Sequence, residues 1–237
     1  MNTKYIYFFV LLILILLGVW FLIDYFKNKS AMPDNPSRVL TVAATIHPLG
    51  DIVKKIGGDK IRVITILPAG ASPHTFEPKP SDIKNLQTVE AIFVIGHGLD
   101  AWSKKLINSV PSVEAYQVDK GIALGKLSFE HHQEEESSKD AQDYDHEHEE
   151  GTDPHYWLSP NNGKIIAENV YETLVGLDPV NQSYYLSRLG LLKDELTSLI
   201  SEAEQKLSPL TNRNLILFHE SFNYLANDFN LRVVGVF

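Results

Sequence analysis

Beyond its first 38 residues the chain alternates short apolar runs with amphipathic segments, and this alternation constrains its fold more than any other feature. Val39 to Ala44, Ile61 to Leu67, Ala91 to Ile95 and Val113 to Val118 read as strands. Leu49 to Ile56 reads as a helix that stops at Gly57-Gly58, Ser81 to Leu86 as a short helix with Ser81 as its N-cap, and Trp102 to Asn108 as another helix. Strands that alternate with helices need right-handed crossovers, which implies a parallel sheet covered on both faces. Ligands of such sheets sit beyond the carboxyl ends of the strands.

A helix is expected over Asn162 to Leu177, and a second from Pro179, whose ring suits a first helical turn after Asp178. Along it Tyr185, Leu189, Leu192, Leu196, Leu199, Ala203 and Leu207 recur at intervals of three and four, giving one apolar stripe. From Pro179 to Leu207 such a rod would measure about 43 Å, long enough to join two lobes. Gly190 costs about 1 kcal/mol of helix propensity there, so a close packing contact is expected at it. Asn214 to Phe218, Ser221 to Phe229 and Arg232 to Phe237 then read as strand, helix and strand of a second lobe. The expected class is therefore α/β, with parallel-sheet lobes joined by a long helix and the second lobe incomplete. The expected divisions are an anchor over 1–26, a linker over 27–37, a first lobe over 38–178, the joining helix over 179–208 and the start of the second lobe over 209–237.

The stretch Tyr5 to Ile23 has 19 residues without a charge, about the length that crosses a bilayer core as a helix. Met32-Pro33 spoils the cleavage site after Ser30-Ala31, so an uncleaved transmembrane anchor is expected, although Lys4 on one side and Lys27 and Lys29 on the other leave it unoriented by charge. With no cysteine in the chain, disulfides, thiolate metal sites and a lipid-modified cysteine are excluded, and any metal must be held by nitrogen and oxygen. Of the net charge of −9, His131 to Glu150 carries −8 through nine acids and one lysine. The near-neutral remainder has no basic stripe for phosphates, which argues against a nucleic-acid partner. Glu130 to Thr152 has almost no apolar content and is expected to be disordered.

Three histidines stand in separate loop contexts. His74 lies in Ser72-Pro73-His74-Thr75-Phe76-Glu77-Pro78, where two prolines stiffen the loop and can present an imidazole at little ordering cost. The bland alternative is a loop histidine bonded to backbone. His155 lies in Asp153-Pro154-His155-Tyr156-Trp157, where Asp153 either accepts the second imidazole N–H or merely starts a turn. His219 follows the apolar run Leu215 to Phe218, a place where a lone histidine is more often structural. Glu77 reads equally as a loop-fixing or a solvated carboxylate. His131, His132, His146 and His148 sit among carboxylates, which suits weak accessory metal capture, the alternative being a solvated acidic loop.

Ser-Pro-His-x-x-Glu-Pro, Asp-Pro-His-x-Trp and a later His-Glu, in that order, resemble the zinc and manganese branch of the metal-binding receptors of bacterial ABC importers, from about Val39 to Phe237. The resemblance implies a metal site built by His74, His155 and His219, with a fourth, carboxylate ligand beyond Phe237 in a chain that looks truncated at its C-terminus. It implies an extracytoplasmic receptor, held at the cell membrane by the N-terminal helix, that captures Zn2+ in a cleft between lobes and delivers it to an ABC permease, and that works as a monomer. His47 and His97 fall where the family has no ligands and are expected to be structural or on the surface. Three imidazoles favour zinc over manganese, which prefers oxygen-rich shells. The alternatives are a manganese receptor of the same family, a membrane-tethered zinc hydrolase with three ligands and an open position, and a surface adhesin. A zincin protease is excluded, because the histidine required four residues after His219 is Asn223. The expectation is a receptor and not an enzyme.

Overall fold

The computed structural model describes residues 18–19, 39–110, 113–126 and 151–237. The chain divides into two units, Met1–Arg38 and Val39–Phe237. In the first, Gly18 and Val19 are helical; the rest of the expected anchor and linker lies outside the described residues, as do His131, His132, His146 and His148. Among the described residues no helix is long and apolar enough to cross a membrane. Thr152, expected to lie in a disordered run, forms an antiparallel bridge with Lys126.

In the second unit, strands β1 (Leu40–Ala44), β2 (Ile61–Thr65), β3 (Ala91–Val94) and β4 (Glu114–Gln117) form one parallel sheet in the order β2-β1-β3-β4. Every residue of β3 is buried, as a strand flanked on both sides and covered on both faces must be. Alternate residues of β1 feed opposite cores. Leu40, Val42 and Ala44 join Leu49, Val53 and Ile56 of helix α1 (His47–Gly57), while Ala43 joins the cluster that includes Leu86 of α2 (Pro80–Leu86) and Leu106 of α3 (Ser103–Asn108). Ser81 does not cap α2. Pro80 takes the first helical position, Lys79 precedes it, and the Asp82 carboxylate accepts from the Lys79 amide at 2.8 Å.

Helix α4 (Pro160–Leu177) and helix α5 (Gln182–Leu207) complete the first core through Ile166, Val170 and Leu174 of one and Tyr185, Leu189 and Leu192 of the other. The long helix is shorter than expected. Pro179–Asn181 forms a separate 3-10 turn, pinned where the Asp178 carboxylate accepts from Asn181 Nδ2 at 2.7 Å and from the Tyr185 hydroxyl at 2.6 Å. The apolar stripe packs against the core as far as Leu196, which lies against Gly163 near the start of α4. Leu199, past that end, is 51% exposed. Among the described residues nothing lies within 4 Å of a Cβ placed at Gly190, so none of them makes the expected packing contact.

Strand β5 (Asn214–Leu217), helix α6 (Asn223–Asp228) and strand β6 (Arg232–Val236) follow, with β5 and β6 paired in parallel. The sheet carries a register shift between Leu215 and Ile216, and neither strand has a buried residue.

Candidate metal centre

The carboxyl ends of β1 and β3 are knitted by a buried carboxylate. Asp100 Oδ2 accepts from Thr45 Oγ1 at 2.6 Å and from the Ile95 amide at 2.7 Å, while Oδ1 accepts from the Gly96 amide at 2.9 Å. Gly96 has φ +81, and a Cβ there would meet the Gln117 side chain at 2.5 Å, so this turn requires glycine. It sets Trp102, whose Nε1 donates to the Pro73 carbonyl at 2.9 Å and whose ring meets Phe76 edge-on at 4.8 Å. The His74 loop is thereby held on both sides of the histidine.

His155 is placed by a tighter device. Asp153, fully buried, accepts on Oδ1 from the His155 amide at 2.9 Å and pairs the same oxygen with His155 Nδ1 at 2.8 Å. A buried carboxylate facing Nδ1 keeps the proton there, so Nε2 presents its lone pair outward. The next residue, Tyr156, is fully buried and donates its hydroxyl to the Ile95 carbonyl at 2.8 Å, which ties the loop to the end of β3. His219 follows the exposed Phe218 at the carboxyl end of β5.

These three loops meet. Nε2 of His155 lies 3.3 Å from Nε2 of His74 and 3.2 Å from Nε2 of His219, and one ligand atom from each of the three lies within 4.8 Å of the others. Ring centroids are 5.0 to 5.4 Å apart. One lone pair on His155 Nε2 can accept one proton well, yet two imidazole nitrogens face it. Tetrahedral zinc with Zn–N bonds of about 2.0–2.1 Å separates its ligand nitrogens by about 3.4 Å, which fits both spacings. The cleft is about 380 Å³, lined by Pro73, Trp157, Leu158 and Ser221 beside the histidines. His155 is buried, while His74 and His219 are exposed to the opening.

The electrostatics disfavour protonation of His74 and His219. Desolvation, and then the positive charge that His155 and His219 would carry, hold His74 below the ordinary imidazole range. Desolvation and then His155 also hold His219 down, partly opposed by Asp153 and Glu220. Neutral imidazoles are the form that binds a cation.

Of the other residues singled out in the sequence, Glu77 is exposed. His47 is exposed at the start of α1, and His97 pairs with Asp119 Oδ2 at 2.7 Å, so neither joins the cluster. The sequence reading missed Asp100, Trp102, Asn223 and Tyr224. Asn223 Nδ2 donates to Asp153 Oδ2 at 3.1 Å, and the Tyr224 hydroxyl donates to the Asp153 carbonyl at 2.8 Å. No spacing or motif marks Asn223 and Tyr224, because Asp153 lies 70 and 71 residues from them, and Asp100 and Trp102 likewise reach across 55 residues to Thr45 and 29 to Pro73.

A parallel α/β fold with imidazoles gathered beyond its strand ends matches a metal-binding receptor of the solute-binding class. The model of the zinc-uptake complex component A family, periplasmic, matches residues 42–237, and the chain belongs to that family. It is 32% identical to the metal ABC transporter substrate-binding lipoprotein SsaB of Streptococcus sanguinis, over 92% of this chain and 68% of that one. It is 30% identical to the manganese ABC transporter substrate-binding lipoprotein scaA of Streptococcus gordonii, over 86% of this chain and 64% of that one. The crystal structure of a ZnuA deletion mutant with zinc bound superposes with a TM-score of 0.72 at 31% identity, covering 84% of this chain and 71% of that one. The chain thus spans about two thirds of the length of these relatives.

Proposed function

We propose that this chain is an extracytoplasmic receptor that takes up Zn2+ on His74, His155 and His219 and presents it to an ABC permease, held at the membrane by its N-terminal segment. The observation that carries the reading is that the nitrogens of His74 and His219 both stand at tetrahedral-edge spacing from the outward lone pair of His155. His155 is the fixed ligand, because Asp153 sets its tautomer and direction. His74 and His219 close on the ion from the open side, His74 from a loop braced by Trp102 and His219 from the second lobe. Three nitrogen ligands suit a borderline cation, and a carboxylate or water would complete four-coordination. His131, His132, His146 and His148 are proposed as weak accessory capture sites that raise the local zinc concentration.

The manganese reading has a specific support in the 30% identity to a receptor named for manganese. Competitive calorimetry on the full chain decides between them. Zinc is expected to bind much more tightly than manganese, and tight manganese binding with feeble zinc binding would overturn the assignment.

A further inference from the structure

Helix α6 belongs to the second lobe, yet its polar side chains are directed at the loop that carries His155. At its first residue, Asn223 Nδ2 donates both to Asp153 Oδ2 at 3.1 Å and to Glu220 Oε1 at 3.2 Å. Tyr224 donates to the Asp153 carbonyl at 2.8 Å and accepts from the Gly125 amide at 2.9 Å. At the last residue, Asp228 Oδ2 accepts from Ser159 Oγ at 2.5 Å and from the Asn161 amide at 3.4 Å. The helix thus grips the chain on both sides of His155.

We infer that Asn223 is a positioning residue for the metal ligand His155, acting through Asp153, so that docking of the second lobe sets the geometry of a ligand carried by the first. Asp153 is fully buried, its Oδ1 is engaged by the amide and the imidazole of His155, and Asn223 is the partner of Oδ2 among the described residues. A carboxylate held at one oxygen can turn about its Cβ–Cγ bond, and turning carries Oδ1 away from Nδ1. An amide on the other oxygen blocks that rotation. Asparagine suits the place because one neutral NH2 group has two donors for two carboxylates. Leucine would leave Oδ2 buried without a partner, and aspartate would add a third carboxylate.

The ion in this inference rests on the zinc reading above, but the positioning of His155 does not, and the test separates them. Histidine 15N NMR of the metal-free full chain, at a pH where the imidazoles are neutral, should show His155 as one tautomer protonated at Nδ1. Asn223→Ala should mix the two tautomers and weaken zinc binding by roughly 10–100-fold, the range typical of outer-shell partners. Asn223→Gln should recover part of both. Tyr224→Phe, which removes other bonds of the same helix, should leave the tautomer single. In the unmutated chain, zinc should slow exchange of the Gly125 amide, because linkage is reciprocal. A folded Asn223→Ala variant with one Nδ1–H tautomer and unchanged zinc affinity would overturn the inference. If that variant does not fold, an unchanged Gly125 exchange rate on adding zinc to the unmutated chain overturns it instead. Loss of the single tautomer in Asn223→Ala, with no zinc bound by either protein, would sink the zinc reading and leave the positioning of His155 standing.

Discussion

His155 and His219 meet at one point but come from unlike settings. His155 sits in a loop fastened to a four-stranded sheet whose central strand β3 is wholly buried, and the side chain is itself buried. His219 ends a two-stranded sheet in which Ile216 is 60% exposed and Val234 46%. His155 is thus set by a well-buried core and a buried carboxylate, whereas His219 follows a sheet in which no strand residue is buried. The proposed site would therefore join one firmly packed imidazole to one that is thinly packed.

Stability should expose the contrast most strongly. Leu174→Ala in the first core, at a fully buried position, is expected to cost about 2–5 kcal/mol in denaturant unfolding. A cost near zero would mean that the four-stranded sheet is no more consolidated than the two-stranded one. At the site, His155→Ala should weaken zinc binding by more than about 100-fold in calorimetry, beyond the range of outer-shell changes. His219→Ala should cost less, since its backbone is less firmly held, and an equal or greater loss would break the comparison of the two halves.

The pH dependence sharpens it further. His74 and His219 have folded-state pKa values below the ordinary 6.5, so the unfolded chain binds more protons as pH falls through that range. Their contribution to the stability of the metal-free protein is therefore present above 6.5 and declines as pH falls below it. Urea midpoints at about pH 7.5 and 5.5 should show a modest drop, reduced by solvent at these exposed rings, and the drop should shrink in a His74→Gln, His219→Gln double variant. The smallest effect is expected at Ile216→Ser, within about 0.5 kcal/mol, because the side chain is already in solvent. A large destabilisation there would show the second sheet to be better packed than its exposure implies.

The order of strands and helices was legible because short apolar runs bounded by Gly and Pro leave few alternatives. Its errors lie at ends and breaks. The Ser81 cap failed because Pro80 takes the first helical position and Lys79 precedes it, with Asp82 engaging the Lys79 amide. The long helix lost its first turn because Asp178 draws Asn181 and Tyr185 onto one carboxylate. Its stripe leaves the core after Leu196, with Leu199 exposed, because periodicity shows which face is apolar and not how far a neighbour extends.

By itself the sequence determined the alternation that makes a parallel sheet, the nitrogen and oxygen chemistry open to a chain without cysteine, and three histidines in loops that such a fold sends toward strand ends. All three follow from local causes, backbone preference and side-chain type. Only the tertiary structure decided that Nε2 of His155 stands a tetrahedral edge from the nitrogens of both His74 and His219, which of the two readings of Asp153 holds, and that Asn223 holds Asp153 in turn. Distances and hydrogen-bond partners some 64 to 81 residues apart arise from packing, and packing has no period in sequence to read.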